Sequence, residues 1–235
     1  MKRILTCLYV LIYATINCSG QDQTIIDSIL HVLDTTKSSW VISRASTEIA
    51  WEYLDNVDSL AYKYGDQAYK ISHAIGDTAN FIKSGRIIGV VLGKSGMQAS
   101  AIEILERIYP IALRHNNLRE AAKISNRLGL CYYQLSIFDQ ALVWHSNNYE
   151  HAKSLKDING YSIALNNIGL VHYKLTNYEL AVKNLSHSIS IKEEHGIMYD
   201  LDLAYINLAL ATANTKNSDS LNTVHAREYI AKGMS

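Results

Sequence analysis

One proline, Pro110, stands in a chain of 235 residues, and no Gly/Ser-rich or low-complexity tract interrupts it. Both shortages argue against a long linker or a disordered tail, so the chain reads as folded from about Gln21 onward. Net charge is missing too, because 22 basic residues balance 22 acidic ones and the two kinds are interspersed. That pattern excludes the basic footprint of a nucleic-acid binder and the polybasic patch of a membrane-surface protein.

Residues for chemistry are as scarce. The glycines at 89, 93 and 96 fall inside or after a helical pattern and follow no strand, so there is no phosphate-cradling loop. His145 and His151, or His187 and His195, lack the i, i+4 spacing that sets two metal ligands on one helical face. Glu193-Glu194 reads as a solvated helix end, since acid–base catalysis needs two carboxylates held in different environments; Lys192 beside them reads as a surface residue. No enzyme, cofactor or metal site is expected.

The first twenty residues differ in kind. Lys2 and Arg3 give a positive start, Ile4 to Ile16 is mostly apolar, and Cys18-Ser19-Gly20 offers small residues before Gln21. This is the form of a secretory signal peptide over residues 1–20, too short to span a bilayer at roughly 20 residues. Export to the periplasm or the exterior is expected, with no membrane span in residues 21–235. Cys131 would then be the remaining cysteine, unable to form an internal disulfide and placed in an apolar helical stretch.

What the chain has in abundance is self-similarity. Ala181 has counterparts at Ala141, Ala101 and Ala61; Gly169 has counterparts at Gly129 and Gly89, with Ala209 further on. Three alanines in register with a fourth have a chance of order one in a thousand by composition. A fixed period of this length predicts an all-α, right-handed superhelical solenoid of antiparallel helix pairs. Residues 21–41 read as an N-terminal capping helix. The array then fills 42–235, in repeats of about 42–81, 82–121, 122–161, 162–201 and 202–235, the last incomplete.

Gly89, Gly129 and Gly169 on first helices, and Ala61, Ala101, Ala141 and Ala181 on second helices, are assigned to packing, because backbones approach closely only where side chains are small. The first repeat breaks the pattern. Projection back from Gly89 lands on Ile49, and the helix around it, with Trp40, Trp51 and Tyr53, is expected to pack through large side chains. Past Leu201 the last turn lengthens over 214–222, and the expected alanine is displaced to Ala226. Pro110 inside a second helix should bend it.

Leu128-Gly129 with Tyr132, then Phe138 and Ala141, resembles the tetratricopeptide repeat. The forty-residue period and the runs Ala164-Leu165-Asn166-Asn167-Ile168-Gly169 and Ile191-Lys192-Glu193-Glu194-His195-Gly196 resemble its long-helix variety, found in the sensory region of Bacteroidetes-type histidine kinases. The resemblance covers roughly residues 42–235. It fails at the first repeat, which lacks the Leu-Gly pair, at His172 in a tyrosine place, and at His145 in an apolar place.

The resemblance implies a concave groove lined by first helices that takes a protein or peptide. By register, Arg86, Lys94, Asn126, Tyr133, Asn166, Asn167, Tyr173, Lys174 and Asn207 should face or border it. Asparagine suits a peptide backbone because it both donates and accepts. The alternative for Asn166 and Asn167 is that they only tie neighbouring repeats together. Asn167 matches one asparagine of the family's carboxylate clamp, but Leu130 and Leu170 occupy another of its places, so that specificity is not expected. The functional expectation is an exported, non-catalytic interaction module. The alternative is the periplasmic sensory region of a histidine kinase or transcriptional regulator whose output part lies beyond Ser235.

Overall fold

The turns set the architecture. Backbone φ is positive at Gly76, Gly96, Asn116, Ser136, Lys156, Thr176 and Gly196, one left-handed residue every twenty positions. Each follows a helix end and closes it in the same way: the next residue's N–H reaches back to a carbonyl five residues earlier, as in Asp77 to Ser72 O, Ile137 to Tyr132 O and Asn177 to His172 O, each 2.9 Å. This double-bonded C-cap satisfies carbonyls that the helix end leaves open. Two residues later the next helix begins. Asp77, Asn117 and Asp157 cap it, accepting from the N–H of Asn80, Glu120 and Gly160 at 3.1, 3.2 and 3.0 Å.

A computed structural model describes residues 23–215 together with 229 and 231. The signal-like segment, most of the lengthened turn and Ala226 lie outside the described residues. Helices α1 (Gln23–Thr35), α2 (Ser39–Glu52), α3 (Asp58–Ile75), α4 (Thr78–Lys94), α5 (Gln98–Arg114), α6 (Leu118–Gln134), α7 (Phe138–Ser154), α8 (Ile158–Lys174), α9 (Tyr178–Glu194) and α10 (Leu201–Ala213) follow in order, without a strand among the described residues. From α4 to α9 every helix has 17 residues. Links of three residues, or five in the first pair, leave no choice but an antiparallel neighbour, so the pairs run 39–75, 78–114, 118–154 and 158–194. α5 continues through Pro110 to Arg114.

The chain divides into two compact units between Ile111 and Ala112. In the first, α1 packs on α2, and α2 packs on both α3 and α4. Ala50, Leu54, Ala61, Ile87, Val90 and Val91 form its core cluster. α4 is buried almost all round, from Asn80 to Gly93 with Lys83 the exception in that run. The size pattern of the first pair is inverted. Ile49 stands where later first helices carry glycine, and Gly65 stands where later second helices carry Leu105, His145 and Leu185. A Cβ on Gly65 would meet Ile88 at 3.3 Å. Trp40 and Trp51, expected as packing residues, remain 42% and 45% exposed. Arg44 lies over the Trp40 ring at 4.4 Å, and Arg86 lies 5.4 Å from the Trp51 ring.

In the second unit α6 pairs with α7, α7 touches α8, α8 pairs with α9, and α9 touches α10. Ala181, Leu185, Ile189, Ala204, Tyr205, Leu208 and Ala211 form a core cluster, and Tyr229 packs against it. The small residues sit where large ones press. A Cβ on Gly89 would meet Leu105 at 2.6 Å in the first unit; one on Gly169 would meet Leu185 at 2.7 Å in the second. Ala61, Ala101, Ala141 and Ala181 are fully buried.

One surface expectation is overturned. Lys192 is 2% exposed, and its ammonium donates to the Tyr199 carbonyl at 2.6 Å. The turn after Gly196 folds back over it, which the helix pattern alone does not reveal. Burial holds the Lys192 pKa below the usual lysine range although Asp200 and Asp202 pull it upward. Its neighbour Glu193 is exposed and accepts from the Tyr205 hydroxyl.

Candidate functional site

In the second unit the first helices α6, α8 and α10 lie in sequence, α8 touching both of its neighbours. α6 and α8 share a length of 17 residues and a side-chain N-cap, Asn117 and Asp157, which set their residues side by side. Asn167 on α8 donates its Nδ2 to Oδ1 of Asn126 on α6 at 2.9 Å, a contact between residues 41 apart in the chain. Asn126 keeps its amide protons and Asn167 its carbonyl for another partner. Beside them Oδ1 of Asn166 is buried with no hydrogen-bond partner among the described residues. Asn167 therefore does tie two repeats together, while Asn166 carries an unspent acceptor.

Near the other end of the same helices come Tyr133 and Tyr173. Each meets edge-on the aromatic that opens the next helix, Phe138 at 5.8 Å and Tyr178 at 5.7 Å. Burial raises the Tyr133 pKa, and the neighbouring Tyr173 adds to it. His172 occupies the place of Tyr132 one repeat earlier; its Nδ1 is buried with no partner among the described residues, and burial lowers its pKa. Lys174 is exposed, and Asn207 on α10 is half-buried. The wall thus mixes amide donors, amide acceptors and aromatic faces, with no nucleophile and base held together.

The two remaining expected site residues lie in the first unit. Arg86 is 5% exposed and offers little surface. Lys94 donates to the Leu54 carbonyl at 2.6 Å and pairs with Asp58 at 3.0 Å, so it braces a helix end. The structure brings together Asn126 and Asn167, and separately Tyr133 with Tyr173. Sequence reasoning did not connect Trp51 with Arg86. A half-exposed tryptophan on a helix expected to be packed was the missing sign.

Among the described residues no three His, Cys, Asp or Glu side chains come together as metal ligands, and no helix is long and apolar enough to cross a membrane. Cys131 is buried, and burial raises its thiol pKa, which makes it a poor nucleophile.

Paired helices of one length, packed through small residues at a fixed interval, define a helical repeat protein. The particular repeat is tetratricopeptide-like. BtubC from P. vanneervenii superposes with a TM-score of 0.73 at 15% identity, over 89% of this chain and 85% of that one. The STAND protein PH0952 from Pyrococcus horikoshii, which has a tetratricopeptide repeat sensor, gives 0.77 at 13% identity over 91% of this chain, which spans 33% of that protein. A Rap protein in complex with competence and sporulation factor gives 0.69 at 14% identity, over 90% and 58%. Neither a family model nor a curated protein sequence matches the chain.

Proposed function

We propose that this protein is a non-catalytic interaction module that holds a protein or peptide against the first helices of its second unit. The observation that carries the reading is the pair Asn126 and Asn167, which leaves an amide donor and a carbonyl acceptor uncommitted on the same two helices that carry Tyr133 and Tyr173 further along. A peptide backbone needs both kinds of group, and flat aromatic side chains add contact area at low entropic cost. The Rap protein solved with competence and sporulation factor supports the reading as a structural neighbour. Export through residues 1–20, and a sensory role for the module, belong to the same proposal and rest on the leader-like start of the chain.

The test is capture of partners from periplasmic extract by the full chain, compared with an Asn126→Ala, Asn166→Ala, Tyr173→Ala variant. Retention of the same partners in the same amounts by the variant would remove the wall from consideration. Thermal melts of both proteins separate lost binding from lost folding.

A further inference from the structure

α10 is apolar on every side. Asp202 is the one charge among its 13 residues, and a helix of that composition calls for cover all round. Ala204, Leu208 and Ala211 are buried in a cluster with Ala181, Leu185 and Ile189 of α9. From the segment beyond α10, Tyr229 stacks on Tyr205 with 6.2 Å between ring centroids. Two sides are therefore covered.

The far side is bare. At about 3.6 residues per turn, Leu203 and Leu210 fall on one line, turned roughly 150° away from Tyr205. They are 51% and 48% exposed. Their counterparts one repeat earlier, Ile163 and Leu170, are half-buried on α8, a helix that has α10 as its neighbour. Among the described residues α10 has no such neighbour of its own.

The bare line has a regular spacing. Ile206 is half-buried between the two leucines, Ala213 is exposed, and Tyr199, also exposed, extends the line beyond the start of the helix. The steps from Tyr199 to Leu203, Ile206, Leu210 and Ala213 are four, three, four and three residues. They average about 3.5, the spacing of a seam on which two helices interlock. Such a seam fits a helix with the same spacing, and a second α10 supplies one.

We propose that two copies of this chain associate through the Tyr199–Ala213 seam, with α10 packed antiparallel against the same helix of the partner. Leu203 then meets the partner's Ala213 and Ile206 meets the partner's Leu210, each contact made twice about a two-fold axis. The antiparallel arrangement puts the two Asp202 carboxylates at opposite ends of the pair, so no like charges oppose it. The surface is small, in the class of weak, reversible contacts below about 1,200 Å² in total. It lies on another helix than Asn126, Asn167, Tyr133 and Tyr173, and it stands or falls apart from them.

The test is sedimentation equilibrium of the full chain from micromolar to millimolar concentration. Average mass should rise with concentration from that of one chain toward that of two. Leu203→Lys and Ala213→Glu should each weaken association at least tenfold with the melting curve unchanged, while Val143→Lys, at an equally exposed apolar position on α7, should leave it alone. An equimolar mixture of the Leu203→Lys and Ala213→Glu chains should associate at least fivefold more tightly than either alone, because the new charges then face each other. A mass of one chain at every concentration would overturn the proposal and give the seam to a helix of another protein. Association indifferent to Leu203→Lys, or a mixture no tighter than its parts, would overturn it as well.

Discussion

The imidazole of His145 fills the space that a side chain on Gly129 would need: a Cβ there would lie 2.5 Å from Cε1 and 2.6 Å from Nδ1. The pair repeats the contacts of Gly89 with Leu105 and of Gly169 with Leu185, with a titratable ring in place of a leucine. His145 is 1% exposed, its Nδ1 has no partner among the described residues, and burial pushes its pKa down to about 4.

Acid sensitivity follows from that burial. The folded pKa of about 4 lies below the ordinary value of 6.5, so between them the unfolded chain binds more protons than the folded one. Stability should be full above about pH 6.5 and fall as the pH drops toward 4, by on the order of 3 kcal/mol for this residue. His151 and His172 act in the same direction. His145→Leu should flatten the profile and raise stability at pH 7.5 by about 1 kcal/mol, since no buried nitrogen is left unpaired. Urea melts from pH 7.5 to 4.5 measure both effects; an unchanged slope in the variant refutes this assignment.

Gly129→Ala should destabilise the second unit by about 1–3 kcal/mol, because the ring has no flexible end to swing away. His145→Ala in the same chain should recover part of the loss, with a coupling energy of about 0.5–3 kcal/mol. A double-mutant cycle by chemical denaturation gives the number. Strict additivity would mean that the two residues do not press on each other.

Thr176 holds φ at 60°, where a β-branched residue is strained, while Gly76, Gly96 and Gly196 fill equivalent places without that cost. Thr176→Gly should therefore stabilise by about 1 kcal/mol. Calorimetry should show a higher Tm, and a lower one would contradict the left-handed turn.

Lys192→Ala should lower the Tm, by about 1–3 kcal/mol in stability, through loss of the buried stem and the bond to Tyr199 O. Lys183→Ala, at an exposed position of the same helix, should leave it within about 0.5 kcal/mol. Equal melts for the two variants would return Lys192 to the surface.

The chain's repetition made the all-α array of helix pairs readable before any coordinates, because the same small residues recur at a fixed interval. The twenty-residue spacing of turn residues was equally present, in Gly76, Gly96 and Gly196, but was hidden where Ser136, Lys156 and Thr176 replace glycine. The asparagine positions were legible by repeat register; whether they would meet each other or a ligand was not. Lys192 and Trp40 were misplaced because periodicity says which residues share a face and not what covers that face.

Sequence by itself thus determined the elements and their pairing, since short links and capped 17-residue helices admit only antiparallel neighbours. Tertiary structure alone decided the bond between Asn126 and Asn167 and the buried histidine on Gly129. Each of these arises between helices, where distance in space and not distance along the chain sets what two side chains can do.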